Sequence, residues 1–169
     1  MNHNDFMRLA LDQAREALAG NEFPVGAIIV ANGEPVAMGR RKNSLNENAT
    51  ELEHAEIVAL RDLLSRRPDI DRSTLTVYSS MEPCLMCYAT LLLNGVRNIV
   101  YAYEDAMGGG TNLPLTSLAP LYSSMARDVK ILRHVLREES LALFKEFFKN
   151  AENNYWQGSL LEKYTLSQP

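Results

Sequence analysis

Two short stretches hold the residues best able to do chemistry: His54-Ala55-Glu56 and Pro83-Cys84-Leu85-Met86-Cys87. Imidazole nitrogen and thiolate sulfur are donors that zinc favours, and a reactive zinc needs three protein ligands with a fourth position open to water. His54, Cys84 and Cys87 supply those three, and the two cysteines are the only ones in 169 residues. The chain therefore cannot build a four-thiolate structural site by itself. Bound zinc brings the pKa of water from about 15.7 to about 7, which makes hydroxide available at neutral pH to attack an amino-bearing ring carbon. Glu56 can reach such a water without being a ligand. One carboxylate there can take a proton and hand it on, as general base and then general acid.

A lone C-x-x-C also reads as a redox pair, and this one follows a strand-like run and opens a helix-like one, as redox motifs do. The upstream H-x-E turns the reading toward a metal. The remaining histidines, His3 and His134, are not candidate ligands. His3 lies near a terminus expected to fray, and His134 falls in a strand-like run.

The elements that must position these residues follow from periodicity. Residues 55–64 have helical apolar spacing, which puts His54 and Glu56 in a first turn. Residues 84–93 read the same way, with Pro83 suited to a first helical position. Cys84 and Cys87 then share one helix face. Helix N-termini carry partial positive charge, which favours thiolate at both sulfurs. Before them, Phe6, Leu9, Ala10, Ala14, Ala17 and Leu18 mark an amphipathic helix stopped by Gly20. Residues 25–30 form an apolar strand, turned at Asn32-Gly33 into a second strand over 35–41. Residues 43–53 read as a polar loop, 74–78 as a third strand and 98–103 as a fourth. A glycine-rich loop spans 104–120, with a short helical turn after it. A fifth strand is expected over 129–135 and a helix over 138–150, with Leu141, Phe144 and Phe148 on its core stripe. A hairpin followed by alternating helices and strands predicts an α/β fold, a three-layer α/β/α sandwich with a five-stranded mixed sheet.

Apolar content of 46% and charged content of 22% are ordinary for one globular domain of this length. No apolar run approaches the ~20 residues needed to span a bilayer. Met1-Asn2-His3-Asn4-Asp5 lacks the basic region and apolar core of a signal peptide. Two cysteines committed to a metal fit a reducing compartment, so a cytoplasmic location is expected. Net charge is −4, and Arg40-Arg41-Lys42 is the one compact basic cluster, read as a solvated strand end. That balance argues against strong nonspecific binding to polynucleotides.

Assembled, the residues resemble the cytidine deaminase-like superfamily of zinc deaminases, most closely the branch of bacterial tRNA adenosine deaminases and guanine deaminases. The stretches that carry the likeness are Pro24-Val25-Gly26-Ala27, Asn43, His54-Ala55-Glu56-Ile57, Glu82-Pro83-Cys84-Leu85-Met86-Cys87 and Asp105. H-x-E followed by P-C-x-x-C is the shared signature. By resemblance, His54, Cys84 and Cys87 bind one zinc, Glu56 shuttles protons, Asn43 hydrogen-bonds the base and Asp105 lies near the sugar. Ala55, between ligand and carboxylate, and Trp156, in the tail, complete the candidate substrate contacts. The likeness also implies a homodimer or larger oligomer. It runs from about residue 5 to 150, leaving 151–169 as an aromatic tail of the same domain, a lid or interface segment. That tail is not cationic, and the loop before His54 reads Asn48-Ala49-Thr50-Glu51-Leu52-Glu53 where the tRNA enzymes carry Asp-Pro-Thr. The expected activity is hydrolytic removal of a ring amino group from a free nucleobase or nucleoside. A tRNA wobble adenosine deaminase and a zinc-stabilised, non-catalytic binding domain are the alternatives.

Overall fold

The computed structural model describes residues 1–44 and 49–169. The predicted loop 43–53 falls partly on 45–48, which lie outside the described residues, as does Asn48 of the stretch compared above. In chain order the elements are α1 (His3–Ala19), β1 (Gly26–Ala31), β2 (Glu34–Arg40), α2 (Ala55–Arg66), β3 (Thr76–Met81) and α3 (Leu85–Leu93). They continue with β4 (Asn98–Tyr103), α4 (Pro120–Ala126), β5 (Lys130–Leu132), α5 (Arg137–Lys149) and α6 (Leu160–Ser167). The sheet order is β2-β1-β3-β4-β5. β1 runs antiparallel to β2 and β3, and β3, β4 and β5 are mutually parallel, so the sheet is mixed as expected.

The sheet is covered on both faces. Ile29, Val77 and Ile99 point to a core filled by Ala59, Leu63, Leu91 and Leu92 of α2 and α3. Their strand neighbours Ile28, Tyr78 and Val100 point the other way, onto Phe6, Ala10 and Ala14 of α1 and Leu143 of α5. Burial on both sides is why β1 reads as an unbroken apolar run instead of an alternating one. No helix among the described residues is long and apolar enough to cross a membrane.

Several element boundaries differ from those expected. β3 reaches on through Ser79 and Ser80, because their buried hydroxyls have partners: Gly26 N–H donates to Ser80 Oγ at 3.0 Å, and Ser79 Oγ donates to Glu56. β5 keeps only three residues, and the chain then turns through left-handed backbone at His134 (φ 62°) and Leu136 (φ 56°). The N-terminus does not fray at His3. Asn2 and Asp5 form a reciprocal cap, and His3 Nδ1 lies 2.9 Å from the Tyr78 hydroxyl. In α5 it is Phe147 that is fully buried beside Leu141 and Phe144, with Phe148 only half-buried. The tail, given no helix from its sequence, ends in α6, capped where Ser159 Oγ accepts from Glu162 N–H at 3.2 Å.

Candidate active site

The first two site residues are set by the start of α2. His54 is its N-cap, in extended backbone (φ −66°, ψ 147°), and its carbonyl accepts from Val58 N–H at 2.9 Å. Ala55 and Glu56 are the first two helical residues. This turn is pressed against β2 at Gly39, where a Cβ would stand 2.4 Å from the Ala55 carbonyl oxygen. Only glycine permits that approach.

The sulfurs come from the start of α3, one residue later than expected. Cys84 is the N-cap (φ −63°, ψ 169°), with Pro83 outside the helix, so only Cys87 lies on the helix itself. Cys84 and Cys87 therefore do not share a helix face. They approach from a cap and from a first turn. The loop after β4 is stitched to this segment. Leu85 N–H donates to the Gly108 carbonyl at 3.1 Å and Gly110 N–H to the Pro83 carbonyl at 2.9 Å. Buried Glu82 accepts from the amides of Asp105 and Thr111, each at 3.2 Å, from the Thr111 hydroxyl at 2.5 Å and from Asn112 at 3.2 Å. A Cβ on Gly109 would sit 2.6 Å from the same carboxylate, so this turn too depends on glycine.

The ligating atoms of His54, Cys84 and Cys87 all fall within 4.8 Å of one another. His54 Nδ1 is 3.5 Å from each sulfur. Zinc bonds of about 2.3 Å to sulfur and about 2.0–2.1 Å to nitrogen, meeting at a tetrahedral angle, separate S from N by roughly 3.6 Å. The triad therefore fits a zinc ion. Without a metal, contact with the Cys87 thiol, working against burial and aided by His54, holds Cys84 down to about 4. The same contact, with burial, pushes Cys87 up. Burial opposes the His54 cation, yet the Cys84 sulfur and nearby carboxylates carry it to about 9. Glu56 is buried beside the triad. Ser79 Oγ donates to its Oε1 at 3.0 Å, and Cys87 Sγ lies 3.5 Å from its Oε2. Burial first, then the Cys84 sulfur, raises its pKa above the ordinary carboxylate value, the direction that suits a group that must both take and give a proton.

A cavity of about 430 Å³ opens beside this cluster. Ala55, Asp105 and Met107 line it together with His54, Glu56 and Cys84, Phe23 and Met81 add apolar wall, and Tyr155, Trp156 and Leu161 of the tail close one side. Asp105 accepts from the amides of Met107 and Gly108 at 2.9 and 2.8 Å. Asn43 is half-buried in left-handed backbone (φ 57°), its amide donating to Glu22, and it is not among the described residues that line the cavity.

A family model of the cytidine and deoxycytidylate deaminase zinc-binding region matches residues 1–103. The chain belongs to this deaminase family. It is 30% identical over 160 residues to the tRNA-specific adenosine deaminase of Aquifex aeolicus (strain VF5), across 91% of this chain and 99% of that protein. A structure solved in work on A-to-I editing by tRNA:A34 deaminases at the wobble position is similar with a TM-score of 0.67 at 25% identity, over 82% of this chain and 98% of that one. Guanine deaminase from Nitrosomonas europaea shares the fold, with a TM-score of 0.69 at 22% identity over 86% and 84% of the two chains. This deaminase is a hydrolase of C–N bonds with a zinc-binding domain, and the non-catalytic alternative gives way.

Three residues of the deaminase site escaped the sequence. Arg41, expected at a solvated strand end, is 2% exposed. Its Nη1 donates to the carbonyls of Lys42 and Thr50, and its guanidinium lies 5.8 Å from the Tyr155 ring centre. A signal existed, since Ala37, Gly39 and Arg41 alternate inward along and beyond β2. Tyr155 gave none, because its partners lie in other segments, and Glu51 gave none although His54 is only three residues on, because spacing alone does not mark that contact. Arg40, paired with Glu16 at 2.6 Å, and exposed Lys42 do fit the solvated reading. His3 and His134 lie outside the cluster, the latter 3.5 Å from Glu104.

Proposed function

We propose that this deaminase converts the ring C–NH2 of a free nucleobase or nucleoside to C=O, consuming water and releasing ammonia, with His54, Cys84 and Cys87 holding one zinc. When bound, the metal supplies hydroxide at neutral pH. Glu56 carries protons to the ring nitrogen and to the departing amine, and Ser79 keeps its carboxylate aimed. By the likeness in sequence alone Asn43 remains the proposed base-edge contact, although it does not line the described cavity, and Asp105, which does, lies toward any sugar. Ala55 forms part of the floor, and Trp156 offers an aromatic face to the ring.

The observation that carries the substrate class is the tail. Tyr155, Trp156 and Leu161 wall a cavity of about 430 Å³, at the small-molecule end of the usual range. Such closure excludes water from the reacting centre. A second reading, adenosine within a tRNA loop, is favoured by the relation to the Aquifex protein along 91% of this chain. That relation removes the weight that a net charge of −4 lent to disfavouring RNA. Two cysteines assigned to a metal favour the cytoplasm. A homodimer is read from the apolar groove around Leu85, Tyr88, Leu113 and Tyr122, with Leu85 and Leu113 exposed.

An ammonia-release screen over adenine, guanine, cytosine, their nucleosides and an anticodon stem-loop tests the proposal. Turnover of a free base or nucleoside with none of the stem-loop is expected. Turnover of the stem-loop alone would establish the second reading and overturn the first. Light scattering on the same preparation reads out the dimer.

A further inference from the structure

His54 turns Nδ1 toward the two sulfurs and Nε2 toward Glu51, whose Oε2 lies 3.2 Å away. Glu51 has a side chain 58% exposed, and an unassisted carboxylate there would sample many rotamers. Two other groups restrain it. The Tyr155 hydroxyl reaches both of its oxygens, at 3.1 and 3.0 Å. Arg41 Nη2 reaches Oε2 at 3.2 Å, and that guanidinium is itself fixed, its side chain 1% exposed beneath the Tyr155 ring. The carboxylate beside the metal ligand is thus clamped from β2's end and from the C-terminal tail.

We propose that Glu51 is a positioning residue for the zinc ligand His54, and that Tyr155 and Arg41 hold it in place, so that the C-terminal tail contributes to the metal centre. A neutral imidazole presents a lone pair on only one nitrogen. A carboxylate at Nε2 fixes the proton there and leaves Nδ1 free for the metal, while raising its basicity. The inference rests on the zinc reading of the preceding subsection. A surface ion pair with no such role adds little to stability and leaves metal binding unchanged.

Zinc affinity, measured by competition with a chelator, separates the two. Glu51→Ala should weaken zinc binding on the order of 10–100-fold, the usual worth of an outer-shell partner. Glu51→Gln, which keeps an acceptor but not the charge, should recover part of that loss. Tyr155→Phe should weaken binding in the same direction by a smaller factor. Melting temperatures of the zinc-free variants should match the wild type, showing that the fold is intact. If Glu51→Ala binds zinc within twofold of a wild type that takes up one zinc, this inference falls alone. If Glu51→Ala loses affinity and Tyr155→Phe does not, the tail's part in it falls. A wild type that takes up no zinc overturns the zinc reading and this inference together.

Discussion

His54 and Glu56 stand two residues apart on one helix start, yet their surroundings assign them different work. His54 is half-buried, with a sulfur on each side of Nδ1, whereas Glu56 is 3% exposed with a serine hydroxyl and a thiol as partners. Without a metal the triad at pH 7 carries a Cys84 thiolate, a protonated Cys87 and a His54 cation, because Cys84 is held to about 4 and His54 raised to about 9. Zinc requires two thiolates and a neutral imidazole. Binding at pH 7 should therefore release about two protons, and affinity should rise with pH, less steeply once His54 has lost its proton near 9, while Cys87, pushed up, still gives up its proton on binding. Calorimetric titration in buffers of different ionisation enthalpy counts those protons. Binding that releases none would show that the triad is not the zinc site. These residues were legible in the sequence because zinc donors are scarce and their spacing is local. Arg41, Glu51 and Tyr155 were not, since the contacts through which Tyr155 joins the other two span 104 and 114 positions.

Among the elements, α6 was hidden for the same reason. It has eight residues, too few to form alone, and is held by contacts distant in sequence. Tyr103 and Thr165 share a hydrogen bond at 3.0 Å, Tyr164 donates to Glu104 at 2.7 Å, and Arg137 grips the same carboxylate at 2.5 and 2.8 Å. Burial would raise the Glu104 pKa, but Arg137 and Tyr164 more than offset it and hold it at about 2, against an ordinary 4.5. A depressed folded-state pKa gives stability that is full above the unfolded value and lost as pH falls. The docking of α6 should therefore weaken from pH ~4.5 toward ~2. Acid titration followed through Trp156, the single tryptophan, should show a shallower loss in Glu104→Gln than in the wild type. Equal slopes would mean that Glu104 does not hold the tail. The sheet and the two site helices were legible from periodicity. Their ends were not, because Ser79 and Ser80 look like loop residues until their buried partners are known, and a helix N-cap looks helical from spacing alone.

At the scale of the molecule, the fold converges two helix starts on one point. Gly39 presses α2 onto β2, Glu82 ties the loop after β4 to the cysteine segment, and the tail closes the remaining side. Each device brings a chemical group to the same cavity, and the family likeness over residues 1–103 agrees with that convergence. The central claim is that His54, Cys84 and Cys87 hold the metal while Glu56 moves protons. The direct test is zinc per chain and ammonia release measured on the same samples of wild type, Glu56→Gln and the Cys84→Ser, Cys87→Ser double variant. The account predicts about one zinc and full turnover in the wild type. It predicts about one zinc with turnover lower by about 10²–10⁴ in Glu56→Gln. The double variant should have neither. Stoichiometric zinc in the double variant, or near-normal turnover in Glu56→Gln, would contradict it.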